Sequence, residues 1–175
     1  SRDPLRPGSR TGPPMSPADQ TPSPTVRQMS PGDAFAVRQL FQSTPFLVPN
    51  SLFAYHLFAG RYASCTAAVI VDGQVVAALV GLPVEGPVHA PARIYVWQIA
   101  VDENHRRRGL GSLMLDFVRA GNPRTSFFET TVSSSNPASR GMFERFAARC
   151  SAPIRQIPFD HSADFPAEAG VHDRE

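Results

Sequence analysis

The sequence predicts an α/β fold in which a mixed β-sheet is flanked by helices. Apolar, strand-like runs alternate with amphipathic runs at helical spacing, in the order β-α-α-β-β-β-α-β-α-β. Two of the strand-like runs are joined by Asp72-Gly73, a dipeptide favoured in the two-residue turn of an antiparallel hairpin. With 175 residues, the chain is expected to form one domain with a substantial core.

The first 28 residues differ in composition from the rest of the chain. They contain seven of its 18 prolines and almost no large apolar residues, so they cannot bury enough surface to offset the entropy of ordering. We therefore predict a disordered Pro/Arg-rich extension at 1–28, a folded domain at 29–160 and a tail at 161–175. The extension carries +2, which is the formal net charge of the whole chain. The folded part is thus near neutral, which argues against nucleic acid as a partner.

Helix and strand signals place the first half of the fold. A short strand is expected to end near Gln28. Ser30-Pro31 is typical of a helix start, and Asn50-Ser51 can cap a second helix. The hairpin comprises strands 66–71 and 74–82, and the three prolines of 83–92 predict a loop.

The second half predicts three more strands and two helices. A central strand at 93–101 leads through a loop into a helix from about Gly109 to Ala120. A strand at 126–133, a helix beginning at Ser135-Asn136-Pro137 and a last strand at 154–159 complete the fold.

Cysteine usage and hydropathy indicate a cytoplasmic protein. Cys65 and Cys150 are too far apart to suggest a metal pattern or a disulfide framework, so we expect buried free thiols. No apolar run approaches the length of a membrane span, and no signal-peptide core is recognised, so a membrane partner is not expected.

One stretch, Tyr95 to Met114, predicts an anion-binding site. Its apolar strand leads through a polar turn into Arg106-Arg107-Arg108-Gly109-Leu110-Gly111, where an amphipathic helix begins. Unpaired backbone N–H groups of such a turn and of the first helical turn converge on one point, where the helix dipole also favours negative charge. Gly109 and Gly111 have no Cβ, so a phosphate can approach the backbone closely.

Three phosphate-binding patterns can be compared with this stretch. A nucleotide triphosphatase is excluded, because its loop ends in Gly-Lys-Ser/Thr and this chain has no lysine. A Rossmann site needs three spaced glycines after the first strand, and only two occur here. Arg106-x-x-Gly109-x-Gly111 after a strand resembles the pyrophosphate loop of the GCN5-related N-acetyltransferases (GNAT). The alternative is a solvated arginine cluster followed by a helix.

The resemblance implies a GNAT-type sandwich with a mixed, splayed sheet, acetyl-CoA as co-substrate and no metal. In that family the pantetheine pairs with the backbone of the central strand, here at Ile99 and Val101. The oxyanion donor is a backbone N–H near Ile99 or Ala100. The residues implied to bind acetyl-CoA are Ile99, Val101, Arg106, Arg107, Arg108, Gly109, Leu110, Gly111, Asn136 and Phe143.

Several local strings narrow the resemblance to the L-2,4-diaminobutyrate acetyltransferases of ectoine biosynthesis. They are Leu47-x-x-Asn50-Ser51-x-x-x-Tyr55, Val96-Trp97-Gln98-Ile99-Ala100-Val101, Glu129-Thr130-Thr131-Val132, Asn136-x-Ala138-Ser139 and His172-Asp173-x-Glu175. Trp97-Gln98 and Glu129-Thr130-Thr131 are the most telling, because most N-acetyltransferases do not carry them. The resemblance implies transfer of an acetyl group to the 4-amino group of L-2,4-diaminobutyrate, a step toward a compatible solute used in osmotic stress.

The chain departs from the family pattern at three positions. Val48 stands where the family usually has aspartate, and Phe53 where it often has tyrosine. Phe143 occupies the position of the general N-acetyltransferase tyrosine that protonates the leaving thiolate. The exact acceptor amine and the proton donor therefore stay open.

A protonated amine does not attack a thioester, so an acetyltransferase needs a group that takes a proton. Glu129, on the strand next to the central one, is the candidate base. The alternative is that Glu129 pairs with an arginine or points to solvent. The expected substrate-binding residues are Trp97, Asn50, Tyr55, Thr131, His172 and Glu175, although Trp97 could instead be core and the tail could be disordered.

Two other functions stay open at this point. The chain could acetylate another small amine or amino acid, or it could be a non-catalytic acyl-CoA-binding module on the same fold. The resemblance also implies a homodimer with a small diamino acid as substrate.

Overall fold

A five-stranded mixed sheet organises the computed structural model, which describes residues 23–84, 86 and 90–157. The spatial order of the strands is their chain order; β1 to β4 are antiparallel neighbours, and β5 runs parallel to β4. The strands are β1 (Thr25–Arg27), β2 (Thr66–Val71), β3 (Gln74–Val84), β4 (Ala92–Val101) and β5 (Thr125–Thr130). The helices are α1 (Ala34–Gln42), α2 (Leu52–Arg61), α3 (Leu110–Gly121) and α4 (Pro137–Arg149). The predicted fold class is confirmed.

The sheet separates two apolar cores. On one face, α1 and α2 pack against the strands through residues such as Phe41, Tyr55 and Val80. On the other face, α3 and α4 pack through residues such as Leu115 and Phe146. Each strand side chain therefore belongs to either the α1/α2 face or the α3/α4 face of the sheet, as the alternation of strand side chains requires.

The hairpin turn between β2 and β3 confirms its sequence prediction. Asp72 and Gly73 have φ angles of 49° and 75°, so both central residues take positive φ. This is the backbone that a two-residue hairpin turn of the primed type needs, and Asp-Gly adopts it at low cost.

Two irregularities in β4 shape the middle of the sheet. Pairing of β4 with β5 runs from Ala92↔Thr125 to Val96↔Thr130 and then stops, although β4 continues to Val101. On its other side, β4 pairs with β3 through Val80↔Gln98 and Gly81↔Val96, so Trp97 is an extra, bulged residue. The sheet is thus splayed beyond Val96, as the family resemblance implied.

Several predicted boundaries need correction. Thr25–Arg27 forms a strand that pairs with β2, so regular structure occurs within the segment 1–28 that was predicted to be a disordered extension. The strand predicted at 126–133 ends at Thr130, where its pairing with β4 stops. The last strand predicted at 154–159 is not formed by residues 154–157, which are exposed and have no sheet partner; 158–159 lie outside the described residues.

The free thiols expected from the sequence differ in burial. Cys65 is buried, and this burial raises the pKa of its thiol, whereas Cys150 is only half-buried. In the part of the chain that the structure describes, no helix combines the length and apolar character needed to cross a bilayer.

An ion pair connects β1 to the start of the helical segment. Arg27 binds Asp33 through two hydrogen bonds, Nη1 to Oδ2 at 2.6 Å and Nη2 to Oδ1 at 2.9 Å. The same carboxylate accepts the backbone N–H of Ser30 at 2.7 Å and so caps the 3₁₀ turn Pro31–Asp33 that leads into α1. These charge-assisted bonds are stronger than neutral ones.

Replacing Asp33 by asparagine should remove this pair and its acid sensitivity. Hydrogen bonds from Arg27 lower the pKa of the Asp33 carboxyl to about 2. The stability that the Arg27–Asp33 ion pair contributes is therefore complete above about pH 4. It is lost as the pH falls toward the pKa of Asp33 in the folded state. Asp33→Asn should lower the free energy of unfolding by about 1–2 kcal/mol at pH 7, allowing for solvent screening of the exposed guanidinium. Urea titrations should show this difference shrinking toward pH 2.

Asp116→Asn is the matched control. Asp116 pairs with Arg149 at 2.7 Å, and both side chains are 43% exposed. Surface pairs of this kind contribute little, so the control should stay within about 0.5 kcal/mol of the unmodified protein. A pH profile of Asp33→Asn that parallels that of the unmodified protein would contradict the role of the Asp33 carboxylate.

Candidate active site

A groove of about 220 Å³ opens where β4 runs on beyond its pairing with β5. Its walls come from the end of β4, the connection between α1 and α2, and the first turn of α4. The lining residues are Thr44, Pro45, Phe46, Ile99, Ala100, Val101, Arg106, Asn136, Ala138, Ser139 and Met142. Five predicted site residues therefore meet here, namely Ile99, Ala100, Val101, Arg106 and Asn136.

The register of β4 shows which backbone groups face this groove. Asp102 N–H donates to Val76 O at 2.8 Å, so the backbone groups of Asp102 and, two residues earlier, Ala100 point toward β3. Those of Ile99 and Val101 then point to the opposite side, where β5 has already turned away. Arg106 Nε donates to Val101 O at 3.3 Å, which agrees with this direction. Among the described residues, no strand pairs with the backbone edge at Ile99 and Val101, so the splay leaves this edge open to a ligand.

The same register distinguishes the two predicted oxyanion donors. Ala100 is opposite Ala78 of β3, and its side chain is buried in the α1/α2 core. Ile99 is half-buried, and its backbone N–H belongs to the open edge. The geometry therefore favours Ile99 over Ala100 as the donor.

The basic loop between β4 and α3 is shaped by a capped 3₁₀ turn and by two left-handed residues. Asp102 Oδ1 accepts the backbone N–H of Asn104 at 3.0 Å and lies 3.1 Å from His105 Nδ1. Arg107 and Gly109 then have φ angles of 61° and 75°, and Gly109 is the N-cap of α3. Because this cap has no side chain, it offers no side-chain acceptor to the first N–H groups of α3.

The predicted anion-binding residues divide into exposed and buried ones. Arg106, Arg107, Arg108 and Gly109 are exposed, whereas Leu110 and Gly111 are buried at the start of α3. A Cβ on Gly111 would collide with Met142 Sδ, so this glycine also serves the contact between α3 and α4. At Gly109 the constraint is instead the positive φ, since a Cβ there would meet nothing within 4 Å.

Asn136 and Phe143 occupy different parts of α4. The side chain of Asn136 caps this helix by accepting the backbone N–H of Ser139 at 3.1 Å, and it lines the groove. Phe143 packs against the α3/α4 core, while the preceding Met142 contributes to the groove wall. The prediction that Phe143 touches the cofactor finds no support in this arrangement.

The α1/α2 face of the sheet carries residues that are predicted to bind the acceptor amine and to take its proton. Glu129 Oε1 accepts a hydrogen bond from Arg93 Nη1 at 3.0 Å, and the side chains of Glu129 and Arg93 are 40% and 34% exposed. This pair matches the alternative interpretation of Glu129, in which its carboxylate pairs with an arginine. The hydroxyl of Tyr95, on β4, lies 2.9 Å from that of Thr131, which follows the last residue of β5. Trp97 is half-buried against Phe58, with ring centroids 4.9 Å apart.

Tyr55 is fully buried, so this structure gives no support to its predicted contact with the substrate. Its hydroxyl accepts the backbone N–H of Asn50 at 2.9 Å and donates to Gln98 Oε1 at 2.9 Å. Burial raises the pKa of this hydroxyl, so it stays protonated and can donate. Asn50 is half-buried and contributes its backbone to this contact.

Gln98 is a buried polar residue beside the groove that the site prediction missed. It is 6% exposed, and its Nε2 donates to Val48 O at 2.8 Å while its Oε1 accepts from Tyr55. A glutamine inside the apolar run of a central strand is the signal that could have found it, because a buried amide must have partners.

Comparisons with known proteins agree with this geometry. The family model of the Acetyltransferase (GNAT) family matches residues 34–148. This chain belongs to the GNAT family.

Similar proteins are found among the diaminobutyrate acetyltransferases of this GNAT family. The L-2,4-diaminobutyric acid acetyltransferase of Streptomyces coelicolor is 36% identical over 152 residues, which cover 82% of this chain and 84% of the relative. The L-2,4-diaminobutyric acid acetyltransferase of Halomonas elongata is 32% identical over 153 residues, which cover 86% of this chain and 77% of the relative. A solved structure of diaminobutyrate acetyltransferase EctA from Paenibacillus lautus, in complex with L-2,4-diaminobutyric acid and coenzyme A, has a TM-score of 0.75 and 28% identity, covering 83% of this chain and 87% of that chain.

The groove of this GNAT protein fits acetyl-CoA, the co-substrate of the family. The open edge at Ile99 and Val101 can pair with the amides of an extended arm, as a strand pairs with a neighbour. The N-terminus of α3, with three exposed arginines before it, suits a diphosphate. The chain is therefore an acetyl-CoA-dependent N-acetyltransferase.

Two predicted acceptor residues of this acetyltransferase, His172 and Glu175, lie outside the described residues. In residues 23–84, 86 and 90–157, the His, Cys, Asp and Glu side chains form no group of three or more that could hold a metal ion.

Gly109→Glu should weaken acetyl-CoA binding by about tenfold or more, because it places a negative charge at the helix N-terminus that receives the diphosphate. Isothermal titration calorimetry measures this affinity directly. Gly73→Glu is the matched control, since Gly73 also has a φ of 75° and open space around its Cβ position but lies in the distant hairpin turn. The control carries the same backbone strain and should keep the affinity. Equal affinities of the two variants would argue against diphosphate binding by this loop.

Proposed function

We propose that this chain transfers the acetyl group of acetyl-CoA to the 4-amino group of L-2,4-diaminobutyrate. The observation that carries the proposal is the open backbone edge at Ile99 and Val101, set between the basic loop and the acceptor-side residues Trp97 and Glu129. The choice of acceptor is supported by the similarity to relatives and to a solved structure that bear this substrate in their names.

The reaction is direct attack of a neutral amine on the thioester carbonyl that acetyl-CoA supplies. The chain must align the two reactants, take one proton from the amine and stabilise the negative oxygen of the tetrahedral intermediate. The Ile99 N–H, on the open edge, is suited to the last task. One such preorganised donor contributes about 10²–10³ in rate.

The α1/α2 face of the sheet is the acceptor side in this proposal. Trp97 and Thr131 border this side, and Glu129 supplies a carboxylate that can hold the ammonium form or take its proton through water. Glu129 lies 3.0 Å from Arg93, so an incoming ammonium must share or displace the guanidinium. The positive charge of Arg93 can at the same time attract the carboxylate of an amino acid. A pair of opposite charges in one place suits a zwitterionic acceptor better than a simple diamine.

The remaining features of the proposal rest on the similarity to the diaminobutyrate acetyltransferases. We place the reaction in the cytoplasm, as a step toward ectoine under osmotic stress, and expect a homodimer. His172 and Glu175 are proposed to reach the acceptor amines from the tail, where their spacing puts them on one side of a helical turn.

A CoA-release assay over a panel of amines tests the proposal. With acetyl-CoA held saturating, kcat/KM for L-2,4-diaminobutyrate should exceed those for ornithine, lysine and putrescine by about tenfold or more, since each added methylene moves the amine by more than a near-attack geometry tolerates. Putrescine also lacks the carboxylate. Comparable rates on all four amines would favour a general amine acetyltransferase, and binding of CoA without turnover would favour a non-catalytic module.

Glu129→Gln in the same assay separates the role of the carboxylate from that of the fold. Loss of the base or of the ammonium contact should lower kcat/KM for diaminobutyrate by about 10²-fold. Glu144→Gln, at an exposed position of α4, is the control and should retain full activity. Full activity of Glu129→Gln would remove Glu129 from the mechanism while leaving the proposed substrate intact.

A further inference from the structure

A buried hydrogen-bond network joins the bulge of β4 to the segment between α1 and α2. At its centre, the Tyr55 hydroxyl bonds both Asn50 N–H and Gln98 Oε1, each at 2.9 Å. Gln98 Nε2 then reaches Val48 O at 2.8 Å. Tyr55 and Gln98 are 0% and 6% exposed, and neither lines the groove.

The network acts on a segment that has no regular secondary structure to hold it. Residues 43–51 connect α1 to α2, and Thr44, Pro45 and Phe46 of this segment form one wall of the groove. The start of the segment is fixed by Thr44, whose Oγ1 donates to Leu40 O at 2.7 Å. The other end is fixed by Tyr55 and Gln98, together with Arg38 Nε, which donates to Asn50 O at 3.1 Å.

Phe46 shows that the segment is held in an unfavourable conformation. Its φ is 68°, in the left-handed region that a bulky side chain seldom adopts, and its side chain is 50% exposed. Contacts of the exposed ring cannot by themselves enforce such a backbone. Strain of this kind persists where the surroundings impose it and is often found beside functional sites.

The network is attached to the sheet at Gln98, next to the residue that is proposed to donate to the oxyanion. Gln98 follows the bulged Trp97 and precedes Ile99, whose backbone N–H lies on the open edge. One amide side chain therefore connects the strand that presents the oxyanion donor with the segment that faces it across the groove.

We propose that Tyr55 and Gln98 are positioning residues for acetyl transfer, which hold the 43–51 segment at the spacing from β4 that the acceptor amine and the thioester require. This inference rests on the proposed function, because it concerns how the two reactants of that reaction are aligned. It adds two buried residues, neither of which touches a reacting atom, to the machinery of the site.

Tyr55→Phe removes the central hydroxyl and leaves the ring in place. Losing a partner of two buried hydrogen bonds should lower kcat/KM for diaminobutyrate by about tenfold or more. Acetyl-CoA affinity in calorimetry should change less, since the diphosphate contacts at α3 remain. In the free protein, the Asn50 amide should exchange its hydrogen faster, because its acceptor is gone.

Tyr62→Phe is the matched control, because it removes one tyrosine hydroxyl near the end of α2, and Tyr62 packs on the ring of Phe58. It should change neither the kinetics nor the Asn50 exchange. Gln98→Met provides a second variant of similar volume that removes both amide bonds without adding charge. If the two residues act as one unit, the double variant should be no worse than the more damaging single variant.

The outcomes separate the inference from the proposed function. A lower melting temperature of Tyr55→Phe with unchanged kcat/KM would mean that the network only stabilises the fold, and the inference would be overturned. Additive kinetic losses in the double variant would also overturn it. If the unmodified protein turned over no amine, the proposed function would fail, while faster exchange at Asn50 in Tyr55→Phe would still support control of the groove wall by the network.

Discussion

The parting of β4 and β5 is the constraint on which the rest of the structure depends. A sheet normally satisfies the backbone groups of an inner strand on both sides, yet β4 loses its β5 partner after Val96. Ile99 and Val101 are left with backbone donors and acceptors that face a groove of about 220 Å³. An extended ligand arm that carries amides can complete the sheet at this point. We infer that this open edge is where the co-substrate pairs with the sheet.

The bulge at Trp97 affects the face of the sheet that packs against α1 and α2. It changes the direction of the following side chains, so that Gln98 and Ala100 enter the α1/α2 core while Val96 belongs to the α3/α4 core. The buried amide of Gln98 must then be satisfied, and Tyr55 and Val48 provide its partners. The bulge thus holds the opposite wall of the groove next to the point where β4 parts from β5. We infer that co-substrate binding and acceptor alignment depend on these two adjacent irregularities of one strand.

The sequence predicted the features that follow from local chemistry. Asp72-Gly73 marked the hairpin turn, Ser51 marked the cap of α2, and the run from Arg106 to Gly111 marked the loop before α3. Features that depend on tertiary contacts were not predicted from the sequence. The burial of the Tyr55 hydroxyl could not be predicted, because it depends on a hydrogen bond to Gln98, 43 residues later. The end of β5 at Thr130 and the packing reason for Gly111 likewise depend on the course of β4 and on Met142.

Amide hydrogen exchange along β4, with and without CoA, tests the central claim most directly. Ala100 N–H points to β3 and should be protected in both states. Ile99 and Val101 N–H lie on the open edge and should exchange fast in the free protein and become slower by about tenfold or more when the arm of CoA pairs with them. If Ile99 and Val101 kept the same exchange rates at saturating CoA, the splayed edge would not be the co-substrate site, and the account of this groove would be wrong.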